Sequence, residues 1–274
     1  MWTLLGTLDP RALVDARLSA HWAVQVPAAA AASLLPPRAD FGHTNLGWDP
    51  GTEALLSHPL GPDGSVSVGL RLKDLTWIVA KDGGVVDACP VHGRTLAEGA
   101  AWFVETLTVA PFGLFEHDMP SHPVKGGTAF DTAGQVDAHA ELAAWMSNAS
   151  EVLGQQVRDE NASAVRLWPH HFDIATLITL EHHEDPELAR SVNVGFSLGD
   201  ASYAEPYAYV SPWPYPADTG AAPALTCGHW HTEGFFAAVL LGSTVTDTNA
   251  EQEARALSFL REAVGHAREM ANGH

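Results

Sequence analysis

The sequence predicts an α+β protein with a largely antiparallel sheet and packed helices. Short apolar segments with two-residue alternation are separated by turn sequences such as Gly-Pro-Asp-Gly and Lys-Asp-Gly-Gly, and single helical segments follow them. Residues 65–74 also align without gaps on residues 191–200, with six of ten positions identical. The match favours two duplicated strand-strand-strand-helix halves, at about 40–110 and 160–270, within a single globular unit of residues 1–274. Chance similarity between two strands of one sheet is the alternative.

Four helices are predicted from composition and periodicity. An Ala-rich stretch over residues 10–35 is stopped by Pro36-Pro37. Thr95 and Glu98 form a capping-box pair at the start of a helix over 95–107. The remaining two helices are expected at residues 136–158 and 251–270. Strands are expected at 53–57, 65–72, 75–80, 165–180, 191–198, 207–211 and 230–241.

Composition excludes several classes of partner. The formal net charge is −19, so the surface repels phosphate backbones and anionic lipid, and we expect neither nucleic acid nor membrane as a partner. The two cysteines do not form a Cys-x-x-Cys pair and suit a reducing compartment. There is no signal-peptide pattern at the N-terminus and no apolar run of about 20 residues. We therefore expect a soluble cytoplasmic protein, and its oligomeric state stays open.

The most informative segment is the His-x-His-x-Glu run over residues 229–233. In an extended strand, His229, His231 and Glu233 project to one side, while Trp230 and Thr232 project to the other. Two imidazoles and a carboxylate on one face are the ligand set of zinc and non-haem iron sites. The alternative is an exposed strand start whose histidines bond to neighbouring carboxylates.

A second polar segment, Trp168-Pro169-His170-His171-Phe172-Asp173, also opens an apolar run. If residues 165–180 form one strand, His171 and Asp173 share a face and His170 points to the other. We expect this segment to lie close to the His-x-His-x-Glu face and to complete its site. Under this hypothesis the metal ligands are His229, His231, Glu233 and His170, and the catalytic groups are Asp173 and His171.

An aromatic, proline-rich segment covers residues 200–216. Its four prolines and five aromatic rings exclude a helix and favour a rigid extended wall. Aromatic rings with polar tips often line small-molecule pockets, and they also anchor long loops onto a core. The residues predicted to contact a substrate are Trp168, Tyr207, Tyr209, Trp213 and Trp230.

Four segments resemble the motifs of an uncharacterised bacterial protein family. They are residues 43–48, the WPHHFD segment within 166–173, the GDxxYxEPYxYVxPWPYP segment at 199–216, and the GHWHTEG segment at 228–234. The resemblance spans most of the chain and implies no activity. It implies that the four segments lie together in space.

Three functions from different classes remain open. The first is a metal-dependent enzyme, a hydrolase or oxygenase that uses zinc or iron on a small molecule. The second is a non-catalytic small-molecule binding protein with an aromatic, proline-rich pocket wall, and a purely structural or oligomerising protein is a third. The sequence has no Gly-x-Gly-x-x-Gly, Walker or Gly-x-Ser-x-Gly motif, which argues against nucleotide cofactors and a serine hydrolase.

Overall fold

A computed structural model describes residues 1–156, 161–184, 188–247 and 251–272. It confirms the predicted α+β class, with helices and antiparallel strands. The chain divides into two compact units. The N-terminal unit comprises Ala12–Ser147 and Arg166–Phe172, and the C-terminal unit comprises Met1–Arg11, Asn148–Val165 and Asp173–His274. No helix of the described residues is long and apolar enough to cross a bilayer.

The N-terminal unit combines a six-stranded antiparallel arrangement with helices. The strands follow the order β6-β1-β2-β3-β4-β5. The helices are α1 (Val14–Ala23), α2 (Gln25–Leu34), α3 (Leu96–Leu107) and the first part of α4 (Val136–Gln156), which continues into the C-terminal unit. The strands are β1 (Leu46–Asp49), β2 (Ala54–Ser57), β3 (Val66–Arg71), β4 (Thr76–Lys81), β5 (Gly84–Pro90) and β6 (Arg166–Trp168).

The C-terminal unit contains five strands in the order β10-β11-β9-β8-β7, each antiparallel to its neighbour. Helix α6 contacts β8, β9 and β11. The strands are β7 (Asp173–Glu181), β8 (Arg190–Ser197), β9 (Tyr207–Trp213), β10 (His229–His231) and β11 (Ala237–Leu241). The helices are α5 (Gly242–Thr246) and α6 (Gln252–Asn272).

The predicted helices are present. The predicted helix over 10–35 is divided into α1 and α2, and α3 begins after the predicted capping box on Thr95. Helix α4 begins at Val136 as predicted, and its predicted end at residue 158 lies outside the described residues. Strands β1 and β5 were not expected, because their short sequences lie beside turn residues that mask the alternation.

Two predicted long strands are each broken by a turn. The expected strand over 165–180 is interrupted at residues 169–172, because Pro169 cannot donate to a ladder and Phe172 has a left-handed φ of 57°. His171 therefore lies in a turn and does not share a strand face with Asp173. The expected strand over 230–241 ends at His231 and resumes at Ala237, with Gly234 at a φ of 86° in the turn.

The two matched ten-residue segments coincide with β3 and β8. Each of these strands pairs with the preceding and following strands of its own unit. Such neighbours arise in any antiparallel meander, so they do not demonstrate a duplication. The duplication, with pseudo-repeats at about 40–110 and 160–270, stays a prediction. A superposition of the two halves would test it.

Helix α3 packs against the core through a glycine. A Cβ atom on Gly99 would lie 2.4 Å from the ring of Trp77, which is fully buried and donates from Nε1 to the carbonyl of Ala23 at 2.9 Å. We predict that Gly99→Ala lowers the free energy of unfolding by about 1–3 kcal/mol, because the ring has no room to move. Urea denaturation provides the measurement.

The matched control is Gly265→Ala in α6. Among the described residues, no side chain or neighbouring element comes within 4 Å of the Cβ that this substitution adds. It should raise the free energy of unfolding by about 1 kcal/mol, the usual helix gain of Ala over Gly. An equal gain in both variants would contradict the close packing of α3 on Trp77.

Candidate functional site

The strand registers of the C-terminal unit assign its side chains to two faces. Directly opposed residues of paired strands project to the same face. Asp173 opposes Ser197, Ser197 opposes Tyr207, and the same reasoning extends through β11 to β10. We call this face the polar face. Its polar and aromatic members are Asp173, Thr179, Ser191, Asn193, Ser197, Tyr207, Tyr209, Ser211, Trp213, His229 and His231.

The opposite face is apolar and buried. Its members include Ile174, Val194, Phe196, Val210 and Leu240, all at most 4% exposed. Helix α6 buries an apolar stripe that includes Ala256, Phe259, Leu260, Ala263 and Val264. Because an amphipathic helix packs its apolar stripe on an apolar sheet face, α6 covers this side of β8, β9 and β11.

Two tyrosines of β9 hydrogen-bond to carboxylates. The Tyr209 hydroxyl donates to Oδ2 of Asp173 at 2.5 Å, and the Tyr207 hydroxyl donates to Oδ2 of Asp200 at 2.6 Å. The ring of Tyr209 reaches β7 by lying across Gly195, where a Cβ atom would come within 2.5 Å of the ring. Burial, together with the neighbouring carboxylates, raises the pKa of Tyr207 and of Tyr209, so both phenols are neutral donors.

The two predicted histidines converge on a third tyrosine. His229 Nε2 and His231 Nδ1 each lie 2.8 Å from the hydroxyl oxygen of Tyr203. Burial lowers the pKa of His229, with a further contribution from His231, so His229 is neutral at neutral pH. Burial also raises the pKa of Tyr203, which keeps its phenol protonated.

The hydrogen bonds define the protonation of this cluster. His231 Nε2 lies 2.6 Å from the backbone carbonyl of Glu233, which can only accept, so Nε2 carries a proton. In the tautomer with its proton on Nε2, His231 Nδ1 accepts the hydroxyl proton of Tyr203, and the hydroxyl oxygen accepts from His229 Nε2. The result is a directed chain of two hydrogen bonds, in which His229 donates to Tyr203 and Tyr203 donates to His231.

Tyr203 is held in place by a turn. The Oδ1 atom of Asp200 accepts hydrogen bonds from the backbone N–H groups of Ser202 and Tyr203, at 2.8 and 2.9 Å. The backbone N–H of Asp200 donates to the Tyr203 carbonyl at 2.8 Å. Sequence reasoning missed both Tyr203 and Asp200 as site residues. The Asp-x-Ser-Tyr spacing that forms this turn was the available signal.

Other predicted residues of the C-terminal unit have different positions. The side chain of Glu233 is exposed beyond the end of β10, so the alternation from His229 and His231 does not extend to it. Trp230 projects to the opposite face, as the alternation predicts, and there it stacks on Phe236 with ring centroids 5.0 Å apart. Trp213 shares the polar face with Tyr207 and Tyr209, at the other end of β9.

Asp173 shares the polar face with the histidines but is far from them. Three strands separate β7 from β10, which corresponds to about 19 Å at ordinary strand spacing. Asp173 and His229 therefore cannot bind the same metal ion. Among the described residues, no group of three or more His, Cys, Asp or Glu side chains is placed to hold one.

The second predicted segment contributes to a cluster of aromatic rings within the N-terminal unit. The rings of His170 and His171 are 4.1 Å apart, and His117 and Trp168 lie 5.5 and 6.1 Å from His170. Burial lowers the pKa of His170 to about 4, with smaller contributions from the two other histidines. His170, His171 and Trp168 belong to a different unit from His229, so the expectation that they complete one site stays a prediction.

Two polar residues of the Ala-rich helices hold this turn, and sequence reasoning missed both. His21 Nε2 donates to the carbonyls of Pro169 and His170 at 3.0 and 3.2 Å, and its ring stacks on Phe172. Gln25 Nε2 donates to the same Pro169 carbonyl at 2.7 Å. The sequence signal for Gln25 was a polar side chain at the start of the otherwise apolar first turns of α2, whereas His21 lies in a helix with several other polar residues.

We predict that His21 makes stability depend on pH. Burial lowers the pKa of His21 to about 4, below the value near 6.5 expected for an unfolded chain. Its contribution is therefore complete above pH 6.5 and is lost as pH falls towards 4, by up to about 3 kcal/mol. Urea denaturation across this pH range should show a smaller loss in His21→Gln, which keeps an N–H donor but does not titrate.

Burial also lowers the pKa values of His139 and His170 to about 4, and their contribution remains in both proteins. The difference between wild type and His21→Gln therefore isolates His21. If the two proteins lose stability in parallel between pH 6.5 and 4, His21 is not buried in its neutral form.

No protein-family model matches this sequence, and no match is found among the curated proteins or the solved structures with which it was compared. The function is therefore inferred from the side chains of the polar face and from their hydrogen bonds.

Proposed function

We propose that the C-terminal unit binds a small organic molecule on its polar face. The observation that carries this proposal is the set of tyrosine, tryptophan, histidine and short hydroxyl or amide side chains on that face, which lie beside its apolar members Ala175, Leu177, Ala237, Val239 and Leu241. Sheet faces that only contact water are usually covered by long charged side chains. Aromatic rings combined with a few fixed polar groups are typical of small-molecule sites.

The charges of the polar face indicate the class of ligand. The residues assigned to this face include no Lys or Arg, while Asp173 belongs to it and Asp200 bonds to one of its tyrosines. The chain as a whole carries a formal charge of −19, which repels anions. Phenol rings and carboxylates attract organic cations and also bind neutral hydroxylated molecules. We therefore expect a small amine or polyol.

The proposal predicts a specific effect of Tyr209→Phe. This change removes the hydroxyl that donates to Asp173 but keeps the ring that lies across Gly195. A library of amines and polyols is first screened by thermal shift, and each hit is then measured by calorimetry. We expect Tyr209→Phe to weaken binding of a hit about 10-fold, because the Asp173 carboxylate loses the hydrogen bond that orients it towards the ligand.

Tyr215→Phe is the matched control, since Tyr215 follows β9 and is 41% exposed. It should bind the same compounds with unchanged affinity. The proposal is wrong if the library yields no hit, or if Tyr209→Phe and Trp213→Ala both bind every hit as tightly as the wild type does.

A second candidate is the metal-dependent hydrolase or oxygenase that the sequence predicts. The observation that favours it is the hydrogen bond from His231 Nε2 to the Glu233 carbonyl, because metal-binding histidines usually donate their second N–H in this way. In this candidate, His229 and His231 would hold zinc or iron, and the ion would supply an activated water molecule. Asp173 would act on a bound substrate at a distance from the metal, and His171 stays a predicted catalytic base.

A further inference from the structure

We propose that His229, His231 and Tyr203 form a binding site for one divalent first-row metal ion. Tyr203 takes the place that the sequence pattern assigns to Glu233. The site does not depend on the organic ligand proposed above, and it provides the ligand set that the enzyme candidate requires.

The first support is the convergence of three donor atoms. His229 Nε2 and His231 Nδ1 approach one oxygen atom, Tyr203 Oη, at 2.8 Å each. Metal–ligand bonds to nitrogen and oxygen are about 2.0–2.1 Å, so neighbouring donor atoms in such sites are about 2.9–3.4 Å apart. The Tyr203 hydroxyl therefore needs to move away from each imidazole nitrogen by only a few tenths of an ångström to reach the spacing of metal ligands.

The second support is the orientation of His231, which is independent of this convergence. Its Nε2–H is bound by the Glu233 carbonyl at 2.6 Å, so the lone pair of Nδ1 faces Tyr203. A fixed tautomer aims a donor atom at the metal and lowers the entropy lost on binding. Glu233 thus contributes to the site through its backbone carbonyl. Its carboxylate is exposed, so a substitution of this side chain leaves the carbonyl contact in place.

The third support is the rigidity of the frame that carries the donors. His229 and His231 lie on the same strand, β10, and both pair with β11. Tyr203 is held by the turn on Asp200, whose other carboxylate oxygen accepts from Tyr207. Two histidines and a tyrosine supply mixed nitrogen and oxygen donors, which suit zinc or iron.

Binding of the metal ion requires two changes of protonation in the site. Tyr203 releases its hydroxyl proton to solvent and binds as a phenolate. The proton of His229 moves from Nε2 to Nδ1, which leaves the Nε2 lone pair for the metal. His231 keeps its Nε2 proton on the Glu233 carbonyl. Half-buried and exposed side chains surround the site, so water or a substrate can take the remaining coordination positions.

The test is Zn²⁺ binding to the full-length chain, purified without a histidine tag and treated with a chelator. Titration calorimetry should give one Zn²⁺ per chain. His229→Ala and His231→Ala should each lower the affinity at least about 100-fold, and Tyr203→Phe about 10- to 100-fold. Glu233→Gln is the matched control, and its affinity should stay within about 2-fold of the wild type. Circular dichroism of each metal-free variant checks its fold.

A second measurement identifies the tyrosine directly. Fe³⁺ bound by a phenolate gives a visible charge-transfer band, so the wild type should become coloured on addition of Fe³⁺ and Tyr203→Phe should stay colourless. The proposal is overturned if the wild type binds no Zn²⁺, or if Tyr203→Phe binds it like the wild type. If Glu233→Gln lost Zn²⁺ binding, the third ligand would be the Glu233 carboxylate predicted from the sequence, and the proposal for Tyr203 would be wrong. None of these outcomes bears on the organic ligand, which is tested without metal.

Discussion

The two-residue period of side chains along five registered strands is the constraint on which the C-terminal unit depends. Because of this period, one set of side chains lies under α6 and the alternate set lies on the polar face. A register slip of one residue would exchange the two sets and bury the tyrosines and histidines under the helix. Gly195 helps to fix the register, because only a residue without a side chain lets Tyr209 cross β8 and reach Asp173.

Hydrogen bonds then turn the polar face into a defined site. Each of the three tyrosines donates to a specific acceptor, namely Asp173, Asp200 or His231. A buried polar group without an acceptor costs about 1–3 kcal/mol, so these bonds fix the side-chain positions as well as their charges. In the N-terminal unit, carbonyl groups of the 169–172 turn also have hydrogen-bond partners. His21 and Gln25, which lie on helices, donate to the Pro169 carbonyl.

The sequence predicts the fold class, the helices and the pairing of His229 with His231, since each follows from a local period. The error at Glu233 has the same origin, because the alternation was continued beyond the end of β10. No local period pairs Tyr203 with the two histidines that it contacts, because it lies 26 and 28 residues before them, and the Asp-x-Ser-Tyr spacing indicates only its turn. The role of Asp173 stays a prediction, and only the strand order shows how far Asp173 lies from β10.

The central claim is that Tyr203 links His229 and His231 in a directed hydrogen-bond chain. Long-range ¹H–¹⁵N correlation spectra of the imidazole rings test it directly in the metal-free chain at neutral pH, with His229→Ala and His231→Ala used to assign the signals. The hydrogen-bond chain predicts that both rings carry a proton on Nε2, that His231 Nδ1 accepts from Tyr203, and that Tyr203→Phe disturbs both rings. A His231 ring protonated on Nδ1, or two rings that do not respond to Tyr203→Phe, would contradict it.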